Sequence, residues 1–436
     1  MGDGDESGGG RAFEGGSPEV THLSLFRAFS NVYQEHGVVE ASKELALKVA
    51  HVAVPVAELV GVGIAIFVLV AVARSHNAKK HTVLIDGRVS PDREPPRDIM
   101  KKQFFQNKQG LWLHHHLWWN EKVHGPAKGV AVILHGHSEH SRRFEHFAEM
   151  LNKKGIAVFG LDHQGFGRSE GDRGHVEDFN HYSDDVVDYM VKVMWNEYPE
   201  WHDLPRFVAG HSMGGLISIH VGLKCQQSDH PAHKLTGMML SAPALHLDPG
   251  KSNILLQTVA GVLDFIAPKA PIVSFPSRPS TSFLQVKLHA TFDPLNYHGN
   301  IRVHQGLELV KGTKEAIEHA GAFAVPLLIV HGDRDMTVHI TGSHDFIKAI
   351  SSEDKTLIEL EGLLHEPWQE EQKIREPILE AVVAWAEDRL ATTTSRQVKH
   401  EKFTKAVEGL STADVPFKMT SSIKTCESAG ADFVRL

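Results

Sequence analysis

The sequence predicts an α/β fold, a mostly parallel doubly wound sheet with a helical cap insertion. Three observations carry that expectation. Short, nearly continuous apolar runs recur from Val130 to Leu360, as strands buried on both faces require. Amphipathic helical periods lie between them, and strands alternating with helices wind a parallel sheet. The alternation then breaks at 244–324, where an apolar helical period and a Pro-rich stretch replace the short loop expected between strands.

The elements follow in order. Residues 1–48 read as a weakly structured head, since the first 20 hold seven glycines, several acids and little to bury. Met1-Gly2 does not make a myristoylation signal, because Glu6 stands where Ser or Thr is needed. Within 49–75, Val52 to Ala73 is apolar apart from Pro55 and Glu58. As a helix it would rise about 33 Å, enough to cross a bilayer core, so a single-pass membrane anchor is expected. A buried helix or a cleaved signal are the competing readings. Arg74, Lys79, Lys80, Arg88 and Arg93 outnumber Lys43 and Lys48 across the run, which places the catalytic part on the cytoplasmic side.

A first core part is expected at 100–243. Asn107-Lys108-Gln109-Gly110 reads as a hairpin turn before an alternating strand at Leu111–Trp119. Buried strands follow at Val130–Leu134, Ile156–Leu161, Phe207–Ala209 and Gly237–Leu240. Phe144, Phe147, Ala148 and Leu151 recur at helical spacing and stop at Gly155, and Val186 to Met194 repeats the pattern. The cap at 244–324 opens with the helical period Ile254–Ile266. A second core part at 325–391 adds strands Leu327–Val330 and Thr356–Leu360 and a last helix starting at Pro377. A polar tail without regular structure is expected at 392–436.

Composition narrows the function. A net charge of -9 with no basic stripe argues against nucleic acid as a partner. Two cysteines, Cys225 and Cys426, read as free thiols in a reducing compartment. His114-His115-His116 lacks acidic or Cys partners at ligand spacing and reads as a solvent-facing strand, so no metal is expected. His81 and Asp86 match an acyltransferase spacing that chance supplies among 31 histidines. No phosphate-cradling glycine loop is present, and no cofactor is expected.

The chemistry gathers at strand ends. Gly210-His211-Ser212-Met213-Gly214 follows a strand and opens a helical segment, a sharp turn that would present Ser212 as a nucleophile. A serine hydroxyl needs a base, and the base an orienting carboxylate. Asp333 and Asp335 follow Leu327–Val330, and His365 follows Thr356–Leu360. An oxyanion needs donors, for which the backbone N–H groups of Met213 and of His137, in the loop after Val130–Leu134, are the candidates.

These segments resemble the monoacylglycerol lipases of the α/β-hydrolase superfamily. The likeness runs from about Phe104 to Leu390, through Phe105-Gln106-Asn107, His135-Gly136 with Glu139-His140-Ser141, and Asp162 to Gly171. Gly210 to Gly215, Asp293-Pro294-Leu295 and Gly332 with Asp335 complete it. The resemblance implies an α/β-hydrolase fold, with Ser212 as nucleophile, His365 as base, Asp335 rather than Asp333 as acid, and His137 and Met213 as oxyanion donors. It implies a lipid ester substrate, monoacylglycerol first, with lysophospholipids or phenolic esters as alternatives. A catalytically silent interaction scaffold is the rival of another class. In one departure, the family loop usually carries Gly where this chain has Ser138, which predicts an altered turn there.

Overall fold

The computed structural model of the chain describes residues 84–85, 88–89, 102–246, 254–273, 280–390, 401–412, 415 and 417–423. The head at 1–48 and the apolar run at 49–75 lie outside them. Among the described residues, no helix is long and apolar enough to cross a membrane. The 13-residue helix Ile254–Ile266 would rise only about 20 Å, short of a hydrocarbon core of about 30 Å. The 19-residue helix Gln372–Leu390 carries charges along its length. The expected single-pass anchor, and the cytoplasmic placement drawn from it, are therefore withdrawn.

The principal sheet has nine strands. We number them β1 (Phe104–Gln106), β2 (Trp112–Trp118), β3 (Gly129–Leu134), β4 (Ile156–Leu161), β5 (Arg206–His211), β6 (Gly237–Ser241), β7 (Leu327–Gly332), β8 (Asp354–Leu360) and β9 (Phe417–Ile423). Their order across the sheet is β1-β2-β4-β3-β5-β6-β7-β8-β9. Strands β3 to β8 pair in parallel. Antiparallel pairs close both ends: β1 and β2 on one side, β9 on the other.

Alternate residues of one strand serve opposite faces. Val130, Val132 and Leu134 of β3 join one buried cluster, whereas Ala131 and Ile133 join the other. Helices α2 (Asn180–Tyr189), α3 (Met213–Gln226), α6 (Val303–Glu318) and α7 (Thr341–Ala349) supply side chains to the first cluster. Helices α1 (Glu145–Asn152), α8 (Gln372–Leu390) and α9 (Glu401–Thr412) cover the second. Helices α4 (Ile254–Ile266) and α5 (Leu284–Phe292) lie, as α6 does, within residues 244–324. Every parallel strand thus sits between two helical layers, and this is why its sequence is apolar without alternation.

The expected first hairpin turn is present, and several other local expectations shift. The first hairpin turns where Asn107 Oδ1 accepts the backbone N–H groups of Gln109 and Leu111 at 3.1 and 2.8 Å, with Gly110 at φ 79°. Helix α8 starts at Gln372 rather than Pro377. Pro377 lacks the N–H that would bond the Lys373 carbonyl, and that carbonyl belongs to an exposed residue that water can reach. His114 and His115 do not face solvent: they are buried, His114 Nδ1 3.1 Å from Asp162 Oδ2 and His115 Nδ1 3.2 Å from the Tyr189 hydroxyl. Residues 401–423, expected to be irregular, contain α9 and β9. Phe403, Val407 and Leu410 bury one face of α9, and the Asp388 carboxylate accepts the N–H groups of Lys402 and Phe403 at its start. Cys225 is a buried thiol pushed up to about 12 by burial, and is therefore unreactive; Cys426 lies outside the described residues.

Candidate active site

Ser212 stands between β5 and α3 with φ 54° and ψ −118°, a backbone conformation that L-residues rarely adopt. The flanking glycines make the turn possible. A Cβ on Gly214 would collide with the Leu134 and His135 carbonyls, and one on Gly210 with Ser218 Oγ and the Gly214 carbonyl. The turn is pinned from β6, where the Ser241 carbonyl accepts the Ser212 N–H at 2.9 Å.

His365 comes to this serine from the loop after β8, its Nε2 2.9 Å from Ser212 Oγ. Its Nδ1 lies 2.6 Å from Asp335 Oδ2, in the loop after β7. Burial alone would raise the Asp335 carboxyl, but His365 and His331 hold it well below the usual carboxylate range. It is therefore an ionised acceptor, so His365 Nδ1 carries the proton and Nε2 presents its lone pair to the serine. Burial opposes charging His365, yet the Asp335 carboxylate outweighs it and raises the imidazole above its ordinary value.

Asp335 is itself held on all sides. Its Oδ1 accepts the N–H groups of Thr337 and Val338 at 2.7 and 3.0 Å, and His331 Nε2 lies 3.2 Å from Oδ2. Asp333 is exposed and serves another purpose, accepting the Gly362 N–H at 2.6 Å at the turn that begins the His365 loop. Of the two candidate acids, only Asp335 reaches the imidazole. His211 packs its ring 5.0 Å from that of His365, and burial and its proximity to His365 lower it to about 3, so it adds no competing charge.

The loop after β3 lies against the serine. A Cβ on Gly136 would stand 3.1 Å from Ser212 Cβ and 2.8 Å from Glu139 Oε1. Met213 opens α3, whose first-turn N–H groups have no intrahelical acceptor. Ser138 adopts φ 71°, the left-handed conformation that a glycine takes without strain. Its hydroxyl lies 2.7 Å from His137 Nδ1, a local bond that offsets part of the strain. The insertion grips the same loop: the Tyr297 N–H donates to the Ser138 carbonyl at 3.0 Å, and His140 Nε2 lies 2.9 Å from Asp293 Oδ2.

Ser212, Asp335 and His365 are thus brought together, and His137 and Met213 lie on segments that border the serine. Sequence reasoning passed over Asp162, which underpins the loop by accepting the Ser141 N–H at 2.9 Å and the Ser141 hydroxyl at 2.5 Å. It also passed over His331, Arg143 and Glu366. For Asp162 and Glu139 the signal was present, since both stand inside the motifs at 162–171 and 135–141. For Arg143 and Glu366 no local pattern marks a role. Among the described residues, no group of His, Cys, Asp and Glu side chains could hold a metal ion.

Comparison with known proteins follows the same outline. The family model described as serine aminopeptidase, S33, matches residues 125–372, more than half of the chain. A monoacylglycerol lipase of Mycolicibacterium smegmatis is 34% identical over 59% of this chain and 88% of its own. A monoglyceride lipase of Rattus norvegicus is 29% identical over 71% of this chain and 97% of its own. The crystal structure of a soluble variant of monoglyceride lipase from Saccharomyces cerevisiae superposes with a TM-score of 0.58 at 22% identity, covering 70% of this chain and 98% of that one. At that identity the superposition carries the fold alone. The family match and the nearly full-length relatives, set on the α/β-hydrolase sheet described above, make this chain a member of the monoacylglycerol lipase-like serine hydrolases, and a serine ester hydrolase.

Proposed function

We propose that the chain hydrolyses lipid carboxylic esters, monoacylglycerol above all, to glycerol and a free fatty acid. One observation carries this reading: the hydrogen-bonded chain from Ser212 through His365 to the buried Asp335. Ser212 Oγ attacks the ester carbonyl while its proton passes to His365 Nε2. The N–H groups of Met213 and His137 receive the oxyanion of the tetrahedral intermediate. Its collapse breaks the ester bond, and His365 returns the proton to the departing glycerol oxygen. Water then gives a proton to the same imidazole and attacks the acyl-enzyme. The fatty acid leaves and the proton returns to Ser212. Asp335 keeps the imidazole in one tautomer and stabilises its transient positive charge.

The choice of monoacylglycerol draws on the similarity to relatives that bear that name. The 244–324 insertion, whose segments at Asp293 and Tyr297 contact the loop beside Ser212, is in position to act as the cap that receives the acyl chain. A catalytically silent scaffold is disfavoured because all three members of the chain are present and joined.

Two measurements test the proposal. The purified protein is assayed against monoacylglycerols, lysophospholipids and phenolic esters, and the highest kcat/KM is expected on a monoacylglycerol. A lysophospholipid or phenolic ester ranking first would reassign the substrate. Fluorophosphonate is expected to label Ser212, and a folded protein that takes no label would end the hydrolase reading.

A further inference from the structure

The loop after β3 and the loop after β8 are joined by one arginine. Glu139 Oε1 accepts the Gly136 N–H at 2.6 Å, and its Oε2 accepts Arg143 Nη1 at 2.8 Å. The other arm of the guanidinium, Nη2, donates to Glu366 Oε2 at 3.2 Å. Glu366 is the neighbour of His365 in sequence. A second strut runs beside the first, Gln369 Nε2 donating to the Arg143 carbonyl at 3.1 Å. The side chains of Arg143, Glu139 and Glu366 are 13%, 5% and 12% exposed, so this is not the solvent-screened surface pairing that contributes little.

We propose that Arg143 is a positioning residue for the hydrolysis, setting the distance between the oxyanion-loop backbone at Gly136–His137 and the imidazole of His365. Both must serve one tetrahedral centre at once, the N–H groups at its oxyanion and the imidazole at the serine and leaving-group oxygens, yet they belong to loops far apart in the chain. A planar guanidinium with two donor arms can hold two carboxylates at a set spacing, whereas an ammonium is a single point of attachment. The inference rests on the chain being a serine ester hydrolase in which His365 is the base.

The charges separate this role from simple packing. His365 faces Asp335 and, behind it, His331 from the loop after β7. From β5 it faces His211, from the β3 loop Glu139, and on its own loop Glu366, both carboxylates being paired to Arg143. Glu366 and Glu139 favour the charged imidazole. Removing the Glu366 charge therefore makes His365 easier to deprotonate and extends activity to lower pH.

The test uses the full chain and p-nitrophenyl butyrate, with fluorophosphonate labelling as a check that the serine is present and reactive. Arg143→Lys keeps the charge but loses one arm. It is expected to lower kcat about 10- to 100-fold with KM within about threefold, leaving the acid limb of kcat/KM in place. Glu366→Gln, nearly isosteric, is expected to lower kcat and to move that limb down by about half a pH unit. Glu366→Gln decides the matter if Arg143→Lys does not fold. A Glu366→Gln protein with parental kcat overturns the proposal. So does one that loses thermal stability while its acid limb stays put, since that is a structural role alone. If the parental chain itself neither hydrolyses the ester nor takes the label, the hydrolase reading fails instead.

Discussion

Ser212, Asp335 and His365 each stand within five residues of a strand end, and each is aimed by its own short loop. The segment His135–Ser141 across from them is held differently. Glu139 is fixed by Arg143, Ser141 by Asp162, Ser138 by the Tyr297 N–H and His140 by Asp293, so its partners come from three separate stretches of chain, at 143, 162 and 293–297. One side of the site is therefore local and the other is assembled. A parallel sheet brings the carboxyl ends of its strands to one edge, so residues placed just past those ends converge without further help. A loop that must present backbone N–H groups has no such guide and takes its shape from what surrounds it.

The contrast can be broken by mutation. On the local side, Ser212→Ala should cost about 10⁴-fold or more in kcat, with all fluorophosphonate labelling lost and thermal unfolding unchanged. Ester hydrolysis above that residue would mean another nucleophile. Asp335→Asn should cost about 10³- to 10⁴-fold, because an amide can hold the wrong imidazole tautomer. Asp333→Asn should stay within about threefold, since Asp333 only receives the Gly362 N–H. The reverse ranking would make Asp333 the acid.

A pH profile sharpens the comparison. As the proposed base, His365 can act only when neutral, and Asp335 raises its pKa above the ordinary imidazole value of about 6.5. Activity should thus fall as pH drops through a limb above about 6.5, and that limb should move to lower pH in Asp335→Asn. An unmoved limb would assign it to another group.

On the assembled side the effects should be smaller, because each partner is one of several. Asp293→Asn weakens the tie between the insertion and His140 and should lower kcat about three- to tenfold in steady-state assays. A loss as large as that of Asp335→Asn would show that a single tie governs the loop. Ser138→Gly removes the left-handed strain together with the hydroxyl beside His137. It should leave kcat within about twofold and shift stability by less than about 1 kcal/mol in denaturant unfolding.

The apolar runs alone determined the strands and their parallel packing, because a strand covered on both faces can carry nothing else. The same runs placed the nucleophile turn, both candidate acids and the imidazole at strand ends, which is why those residues were legible. The rest depended on contacts between distant segments. The polarity of 401–423 hid α9 and β9, since few helix side chains, Phe403, Val407 and Leu410 among residues 401–410, are buried and an edge strand needs one partner rather than two. The row of histidines in β2 suggested an exposed face, yet Asp162 and Tyr189 satisfy two of them in the interior. Between Asp333 and Asp335, motif spacing expressed a preference, but only the folded chain shows which carboxylate meets His365. Arg143 carries no pattern at all. Hydrophobic periodicity is written along the chain, whereas a buried charge acquires meaning from partners that the fold brings to it.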